Sequence, residues 1–244
     1  MVKLVYSPQW FYGKDILIDL VSIFVLCMIA LFSIKSYKIR KNRNYLYLAL
    51  SFGLLAVSFL FKILMNFNIY FKFLEKSQLG AITETYHAMR ASNSIFPISF
   101  LFYWLLTLFA VYVLYSIYEK QSISNHLLNI YLIFVSTYLS YPDYYVFHIT
   151  LLVLLALVTF VYSRKYLNTK HFATKLAAYS FGIIAASQIF FILVNISNYF
   201  YVVGELVQLI GYAVLLSTFI MVLKYGRTKD THRHNRRYAY FYTR

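Results

Sequence analysis

The chain contains one 21-residue apolar segment twice, and this internal repeat limits its fold more than any other feature. The first copy, at residues 51–71, reads SFGLLAVSFLFKILMNFNIYF, and the second, at residues 180–200, reads SFGIIAASQIFFILVNISNYF. The copies are 129 residues apart, align without a gap and share eleven of 21 residues. Each is long and apolar enough for a membrane-spanning helix, so the repeat predicts a helical membrane protein with two related halves.

Composition agrees with a membrane protein. The chain is 61% hydrophobic and 13% charged, whereas soluble domains are charged at roughly a quarter of their residues. The net charge of +15 is spread between apolar runs, which is the pattern of membrane topology rather than of nucleic-acid binding. We therefore expect no nucleic-acid partner. The single cysteine, Cys27, can form no internal disulfide, and the N-terminal residues do not resemble a cleaved signal peptide.

Seven apolar runs lie at roughly residues 16–34, 45–67, 95–118, 127–141, 144–162, 176–197 and 201–223. Most are long enough at 1.5 Å per residue to cross a hydrocarbon core of about 30 Å, and the fourth is short. The predicted fold is an all-α bundle of seven transmembrane helices. It forms a single domain, residues 1–224, followed by a basic tail at 225–244.

The distribution of lysine and arginine predicts the orientation. With the N-terminus outside, the inner segments hold 17 of the 23 basic residues and the outer segments hold five. Lys62 is the remaining one and lies inside a run. Because basic residues concentrate on the cytoplasmic side, we expect a multi-pass protein of the cell membrane, with its N-terminus outside and its C-terminus in the cytoplasm. The tail should contact anionic lipid headgroups.

The repeat also extends beyond the apolar segment. At the same offset, Lys35 matches Arg164, Tyr37 matches Tyr166 and Lys41 matches Lys170. Runs one and two therefore correspond to runs five and six, and run three is expected to pair with run seven although the two share no convincing identity. The predicted halves are about residues 15–118 and 144–224. Run four, residues 127–141, links them so that both halves run in the same direction.

This 3+1+3 layout resembles that of the SWEET sugar transporters, whose halves are parallel repeats, and the N-out seven-helix plan is similar to that of microbial rhodopsins. The characteristic motifs differ. Runs one and five lack the Pro-Gln pair of SWEET-type proteins, and Lys224, the only lysine near run seven, lies at the inner end. The segment ELVQLIGYAVLL, residues 205–216, resembles uncharacterised seven-helix archaeal membrane proteins, which implies no function.

Four ionisable residues lie inside the runs, where charge is costly and often functional. They are Asp19, Lys62, His148 and Glu205. All four are predicted about one turn from the outer ends of their helices. Asn66 and Gln208 share helix faces with Lys62 and Glu205, Asp15 shares that of Asp19, and Gln188 shares one with Asn195. The sequence predicts an outward-facing polar cluster over an apolar inner half, formed by Asp19, Lys62, Asn66, His148, Gln188, Asn195, Glu205 and Gln208.

The repeat makes this cluster asymmetric, because Asp19 aligns with His148 and Lys62 with Phe191. A duplicated scaffold with an unduplicated polar interior would suit a single binding site. A structural interpretation is also open. Lys62 could extend its ammonium to the headgroups, or Asp19 or Glu205 could pair with it and hold helices together.

Other chemistry has little support in the sequence. Glu84 and His87 form one Glu-x-x-His pair in the outer connection at 72–93, where a short amphipathic surface helix is predicted, whereas di-iron bundles use two such pairs. A bis-histidine haem would need a partner for His148, and His126 lies at the opposite membrane face. We expect no cofactor, no metal site, no catalytic residue and no enzymatic activity.

The leading functional hypothesis is a non-catalytic receptor or transporter that binds a small solute at the outward-facing cluster. The alternative is a structural or accessory subunit of a larger membrane complex, in which the polar groups meet a partner helix. The partners expected are the bilayer and, in the second case, other membrane subunits or a second copy. Few polar residues lie in the inner half beyond Asn129 and Ser33, which counts against transport.

Overall fold

The structure, a computed structural model, describes residues 7–78, 86–117, 119, 122–140 and 143–242, and the regular elements in this part are all helical. The α-helices, in order, are α1 (Lys14–Arg40), α2 (Arg43–Gln78), α3 (Tyr86–Ser116), α4 (Ile123–Leu139), α5 (Tyr145–Thr169), α6 (Phe172–Ile192) and α7 (Tyr199–Tyr242). Short 3-10 helices lie at Gln9–Phe11 and Leu193–Asn195.

In the described part of the chain, six helices are long and apolar enough to cross a membrane, namely α1, α2, α3, α5, α6 and α7. The protein is therefore an integral membrane helical bundle that crosses the bilayer several times. Helix α4 is apolar but has 17 residues, which corresponds to about 25 Å, near the lower limit for a crossing. Seven crossings, and the N-out orientation, stay predictions.

Several helices extend beyond the runs that hydropathy marked. Helix α2 continues to Gln78 and α3 already begins at Tyr86. Tyr86 and Met89 had been assigned to a separate surface helix in the outer connection, but they belong to α3. Glu84 lies outside the described residues, as do the side chain of His87 and those of the basic tail.

Six helices form a closed ring by packing against their neighbours in the order α1, α2, α3, α5, α6, α7 and back to α1. Helix α4 lies outside the ring against α3 and α5. The contacts in this list occur in corresponding pairs. The contact of α1 with α2 corresponds to that of α5 with α6, and the contact of α2 with α3 corresponds to that of α6 with α7. The division of this ring into two related three-helix halves stays a prediction.

Helix α4 runs antiparallel to both of its neighbours. Near its start, His126 Nδ1 forms a hydrogen bond with the hydroxyl of Tyr112, close to the end of α3. Near its end, the Ser136 and Thr150 hydroxyls are 2.7 Å apart, with Thr150 at the start of α5. Helices α3 and α5 consequently run in the same direction, as parallel halves require.

The ends of α1 and α5 have the same backbone geometry at positions 129 residues apart. Lys41 and Lys170 cap these helices in the left-handed conformation, with φ values of 54° and 55°. Their amides donate to the carbonyls of Tyr37 and Tyr166, at 2.8 and 2.7 Å. These are matched residues of the sequence repeat. Each turn reverses the chain so that the next helix packs against the one before it.

Candidate functional site

Lys62 lies in the bundle interior and contacts two acidic side chains from other helices. Its Nζ is 2.7 Å from Oδ1 of Asp19 on α1 and 2.6 Å from Oε1 of Glu205 on α7. All three side chains are buried, with Lys62 5% exposed. We refer to Asp19, Lys62 and Glu205 as the Lys62 triad. It buries two carboxylates against one ammonium.

The antiparallel path of the chain brings these residues to one level. Asp19 lies near the start of α1, Lys62 lies in the second half of α2, and Glu205 lies near the start of α7. Both carboxylates converge on Lys62 although α2 and α7 are not neighbours in the ring. Helix α1 packs against both α2 and α7, and Lys62 reaches Glu205 across the inside of the ring.

Aromatic side chains lie beside the ammonium of Lys62, in the direction of the start of α2. Lys62 Nζ lies 5.2 Å from the centroid of the Phe59 ring, which favours a cation. Tyr103 and Tyr212 pack edge-on against Phe59, at centroid distances of 6.4 and 5.7 Å. Because these rings exclude water, the charges of the triad interact more strongly than they would at a surface.

A further acidic residue, Asp15, lies on α1 one helical turn before Asp19, at the start of the helix. Its side chain is fully buried, and Asn66 Nδ2 lies 3.4 Å from its Oδ2. Burial and then the negative charge of Asp15 raise the pKa of Tyr12, which precedes α1. The predicted site set had omitted Asp15, although its spacing of four residues from Asp19 places both on one helix face.

His148 forms a second polar contact, between α5 and α6. Its Nδ1 lies 2.9 Å from Oε1 of Gln188, whose Nε2 donates to the Ser187 hydroxyl at 3.0 Å. The imidazole stacks on the Phe191 ring, with 5.0 Å between the centroids. Phe191 also packs against Gly204, the residue before Glu205. His148 and Gln188 thus form a pair of their own, distinct from the triad.

The two contacts occupy equivalent positions of the repeat. Lys62 on α2 pairs with Asp19 on α1, and at the aligned positions of the sequence repeat Phe191 on α6 stacks on His148 on α5. A neutral aromatic contact therefore stands where the other half has an ion pair. The charged site is built on one side of the ring only.

The remaining predicted residues differ in their surroundings. Gln208 is buried and its Nε2 donates to the hydroxyl of Tyr212 at 3.2 Å. Asn195 is exposed, in the 3-10 turn at Leu193–Asn195. Helix α6 ends at Ile192, so the seven-residue spacing from Gln188 no longer places Asn195 on the same face. Asn195 therefore does not join the buried polar groups.

A small cavity lies beside the triad, in the direction of the start of α2, between α2, α3, α5, α6 and α7. It has room for about one water molecule. Its polar lining comes from Thr107, Gln208 and Tyr212, and its other walls are apolar.

The triad is closed in this conformation. Asp19, Lys62 and Glu205 are all buried, so the expectation of a cluster exposed to the outside is not met. One atom lacks a partner: Asp19 Oδ2 is buried and has no hydrogen bond to any residue that the structure describes. The arrangement can hold charge away from water, and Oδ2 is free to accept a hydrogen or a ligand.

Within the described residues, no group of three His, Cys, Asp or Glu side chains is placed to hold a metal ion. No protein-family profile, curated protein or solved structure matches this chain. The similarity to SWEET transporters, microbial rhodopsins and archaeal seven-helix proteins gains no support from these comparisons.

Proposed function

We propose that this chain is a non-catalytic protein of the cell membrane that binds a small solute at the Lys62 triad and carries it across the bilayer. The observation that carries the proposal is the double ion pair of Lys62 with Asp19 and Glu205 inside the helical ring. A receptor that binds the solute without moving it is the nearest variant of this function.

Stability alone is a weak explanation for such a cluster. Removing charges from water is costly, and a buried ion pair often contributes little compared with apolar residues of similar volume. Ionisable residues that face the interior of a membrane bundle are typical of substrate and ion pathways. A binding role accounts for a triad that an apolar core would not need.

The position of the triad supports a carrier. Asp19 and Lys62 belong to the first proposed half and Glu205 to the second, so the site lies where the halves meet. Carriers with parallel repeats bind their substrates between the repeats and expose them by rocking one part against another. The closed triad would then correspond to an occluded state.

The cavity beside the triad favours transport over a receptor role. Thr107, Gln208 and Tyr212 line it on the inner side of the triad. They extend hydrogen-bonding groups towards the inner half, where a solute would leave. A receptor that binds only from outside would have no need of them.

The accessory-subunit hypothesis is less well supported. In that case the polar groups should face a partner helix at the outer surface of the bundle. The triad instead finds its ionic partners within the chain and is covered by the chain's own helices. Other subunits or a second copy could still attach elsewhere, and the basic tail is proposed to rest on anionic lipid at the cytoplasmic face.

A thermal-shift panel tests the proposal. Purified protein in lipid nanodiscs would be heated at constant ionic strength with sodium, potassium, methylammonium, glycine or glucose. A solute present at a hundredfold excess over its dissociation constant stabilises by about 2.7 kcal/mol. We expect at least one solute to raise the midpoint for the natural protein but not for the charge-balanced Lys62→Met/Glu205→Gln variant.

Two results would count against solute binding. The first is a panel in which no solute distinguishes the natural protein from the variant. The second is a native particle in mild detergent whose mass requires a stoichiometric partner subunit. A lone species that responds to one solute supports the proposal.

A further inference from the structure

We propose that the Lys62 triad is a proton-binding site whose two carboxylates hold one proton in the closed conformation. The two acids together hold this single proton, and it attaches at Asp19 Oδ2. The inference deepens the proposed function, and it rests on that function only for what accompanies the proton. A carrier that releases this proton as it opens would couple solute movement to proton movement.

The first argument is a count of charges. Two carboxylates lie on one ammonium, at 2.7 and 2.6 Å, and all three side chains are buried. Lys62 can neutralise only one of the acids. The remaining negative charge would be isolated from water, where the ionised form of a carboxyl group is strongly disfavoured. Two acids that share a site usually resolve this by binding one proton between them.

The described groups that act electrostatically on Asp19 include no positive charge besides Lys62. His148 on α5 interacts electrostatically with Lys62 and forms its own hydrogen bond with Gln188. The residues that act electrostatically on Asp19 come from its own helix and from those packed around it. They are Asp15 on α1, Lys62 on α2, Tyr103 on α3, and Glu205 and Tyr212 on α7. Lys62 is the only cation in this described set, and Asp15 adds negative charge. A proton is therefore needed for balance.

The second argument is the unpartnered oxygen. Asp19 Oδ1 accepts the hydrogen bond from Lys62, whereas Oδ2 is buried and accepts none from the described residues. A proton can be added at Oδ2 while Oδ1 keeps its hydrogen bond from Lys62, and Glu205 is then the charged partner of the ammonium. Asp19 Oδ2 lies inside the bundle rather than at a helix end. The fold therefore leaves this oxygen without a hydrogen-bond donor among the described residues.

The third argument concerns size. Asp19 does not line the cavity on the inner side of the triad, and a proton needs no cavity. A dehydrated metal cation needs several oxygen ligands around it. The triad's two carboxylates already share Lys62, so the free oxygen at Asp19 suits a proton better.

Infrared spectroscopy of the protein in nanodiscs at neutral pH tests the proposal. A protonated carboxyl group has a carbonyl band that an ionised carboxylate lacks, so difference spectra count protons. Removing one acid, with Asp19→Asn or Glu205→Gln, should eliminate the triad's single protonated band. Removing the ammonium with Lys62→Met should leave two neutral acids and increase that band about twofold.

The double variant Lys62→Met/Glu205→Gln keeps the test informative if a single variant does not fold. It leaves one acid and no ammonium, so we expect Asp19 to remain protonated and the band to match that of the natural protein. Asp143→Asn, at an exposed position before α5, is the control and should leave the band unchanged. A band that does not follow this count would overturn the inference.

Replacing sodium and potassium with N-methylglucamine tests the competing occupant. If a bound metal cation balances the charge, this exchange should lower the midpoint of thermal unfolding and the protonated band should be absent, which would overturn the proton site. The methylammonium, glycine and glucose arms of the solute panel are independent of this result. If no solute responds but the infrared bands follow the expected proton count, solute binding alone is rejected. If a solute responds but the protonated band is absent, only the proton site is rejected.

Discussion

The ammonium of Lys62 lies 2.6 Å from Oε1 of Glu205, and this contact joins residues 143 positions apart in the chain. It connects α2 with α7 across the inside of the ring, where their aromatic side chains also meet. The Phe52 and Phe219 rings, for example, lie edge-on with 5.7 Å between centroids. The first and second proposed halves thus meet through an ion pair flanked by apolar rings, and any rocking of the halves must change this pair.

The orientation can be tested by cysteine labelling. In a Cys27→Ala background, cysteines at Ser77 and Ser92 should react from outside with an impermeant thiol reagent, and cysteines at Ser36 and Thr228 should react only after permeabilisation. The reason is the bias of 17 basic residues to five between the two sides.

The opposite labelling pattern would reverse the sides of the membrane. The triad would then lie in the inner leaflet, and the cavity beside it would point outward. The ion pairs themselves would be unaffected, because they depend on contacts within the chain. Labelling therefore tests the orientation separately from the site.

The caps of α1 and α5 provide a test of the repeat. Lys41→Gly and Lys170→Gly should each raise the free energy of unfolding by about 1 kcal/mol, because glycine adopts the left-handed conformation without the strain of a side chain. Lys38→Gly, on the exposed side of α1, also removes one positive charge. It should lower the free energy of unfolding by about 1 kcal/mol, because glycine is unfavourable inside a helix. Thermal unfolding in detergent gives the comparison. Opposite signs at Lys41 and Lys170 would contradict their equivalence.

Helix α7 packs tightly against α6 at Gly211. A Cβ there would lie 2.5 Å from Ile184 Cγ1 and 3.3 Å from the Ser180 carbonyl oxygen. Gly211→Ala should therefore destabilise the protein by about 1–3 kcal/mol, because the helices must separate or the Ile184 side chain must move.

Gly53 is the matched control, since it also lies within a helix and a Cβ there would meet nothing within 4 Å. Gly53→Ala should be neutral or stabilise by up to about 1 kcal/mol through helix propensity. Equal losses at both glycines in the same unfolding assay would argue against the described packing of α6 on α7.

Hydropathy predicted the apolar cores of the helices well, because a helix must be apolar over about 20 residues to cross the hydrocarbon core. It did not predict that α2 continues to Gln78 or that α3 begins at Tyr86. Those segments are more polar, and a helix can continue past the apolar region without any hydropathy signal. Asn195 was misplaced for a related reason, because the helical spacing assumed for it ends with α6 at Ile192.

The site was only partly readable from the sequence. The depth of Asp19, Lys62 and Glu205 follows from counting residues along each helix. The order of helices around the ring does not, because helices that are apolar on most faces can pack in several orders. The separation of His148 from the triad also depends on packing, since the Phe191 ring stacks on the imidazole and fills the space beside Gly204.

The central claim is that Asp19 and Glu205 hold Lys62 inside the bundle, and a double-mutant cycle in detergent tests it most directly. Lys62→Met, Glu205→Gln and the double variant would be compared by thermal unfolding, with a second cycle through Asp19→Asn. Breaking a buried ion pair by removing one partner costs roughly 3–5 kcal/mol, whereas removing both restores much of the loss. We predict that Lys62→Met alone is less stable than Lys62→Met combined with Glu205→Gln. Strict additivity in both cycles would contradict the account, because Lys62 would then be independent of both acids.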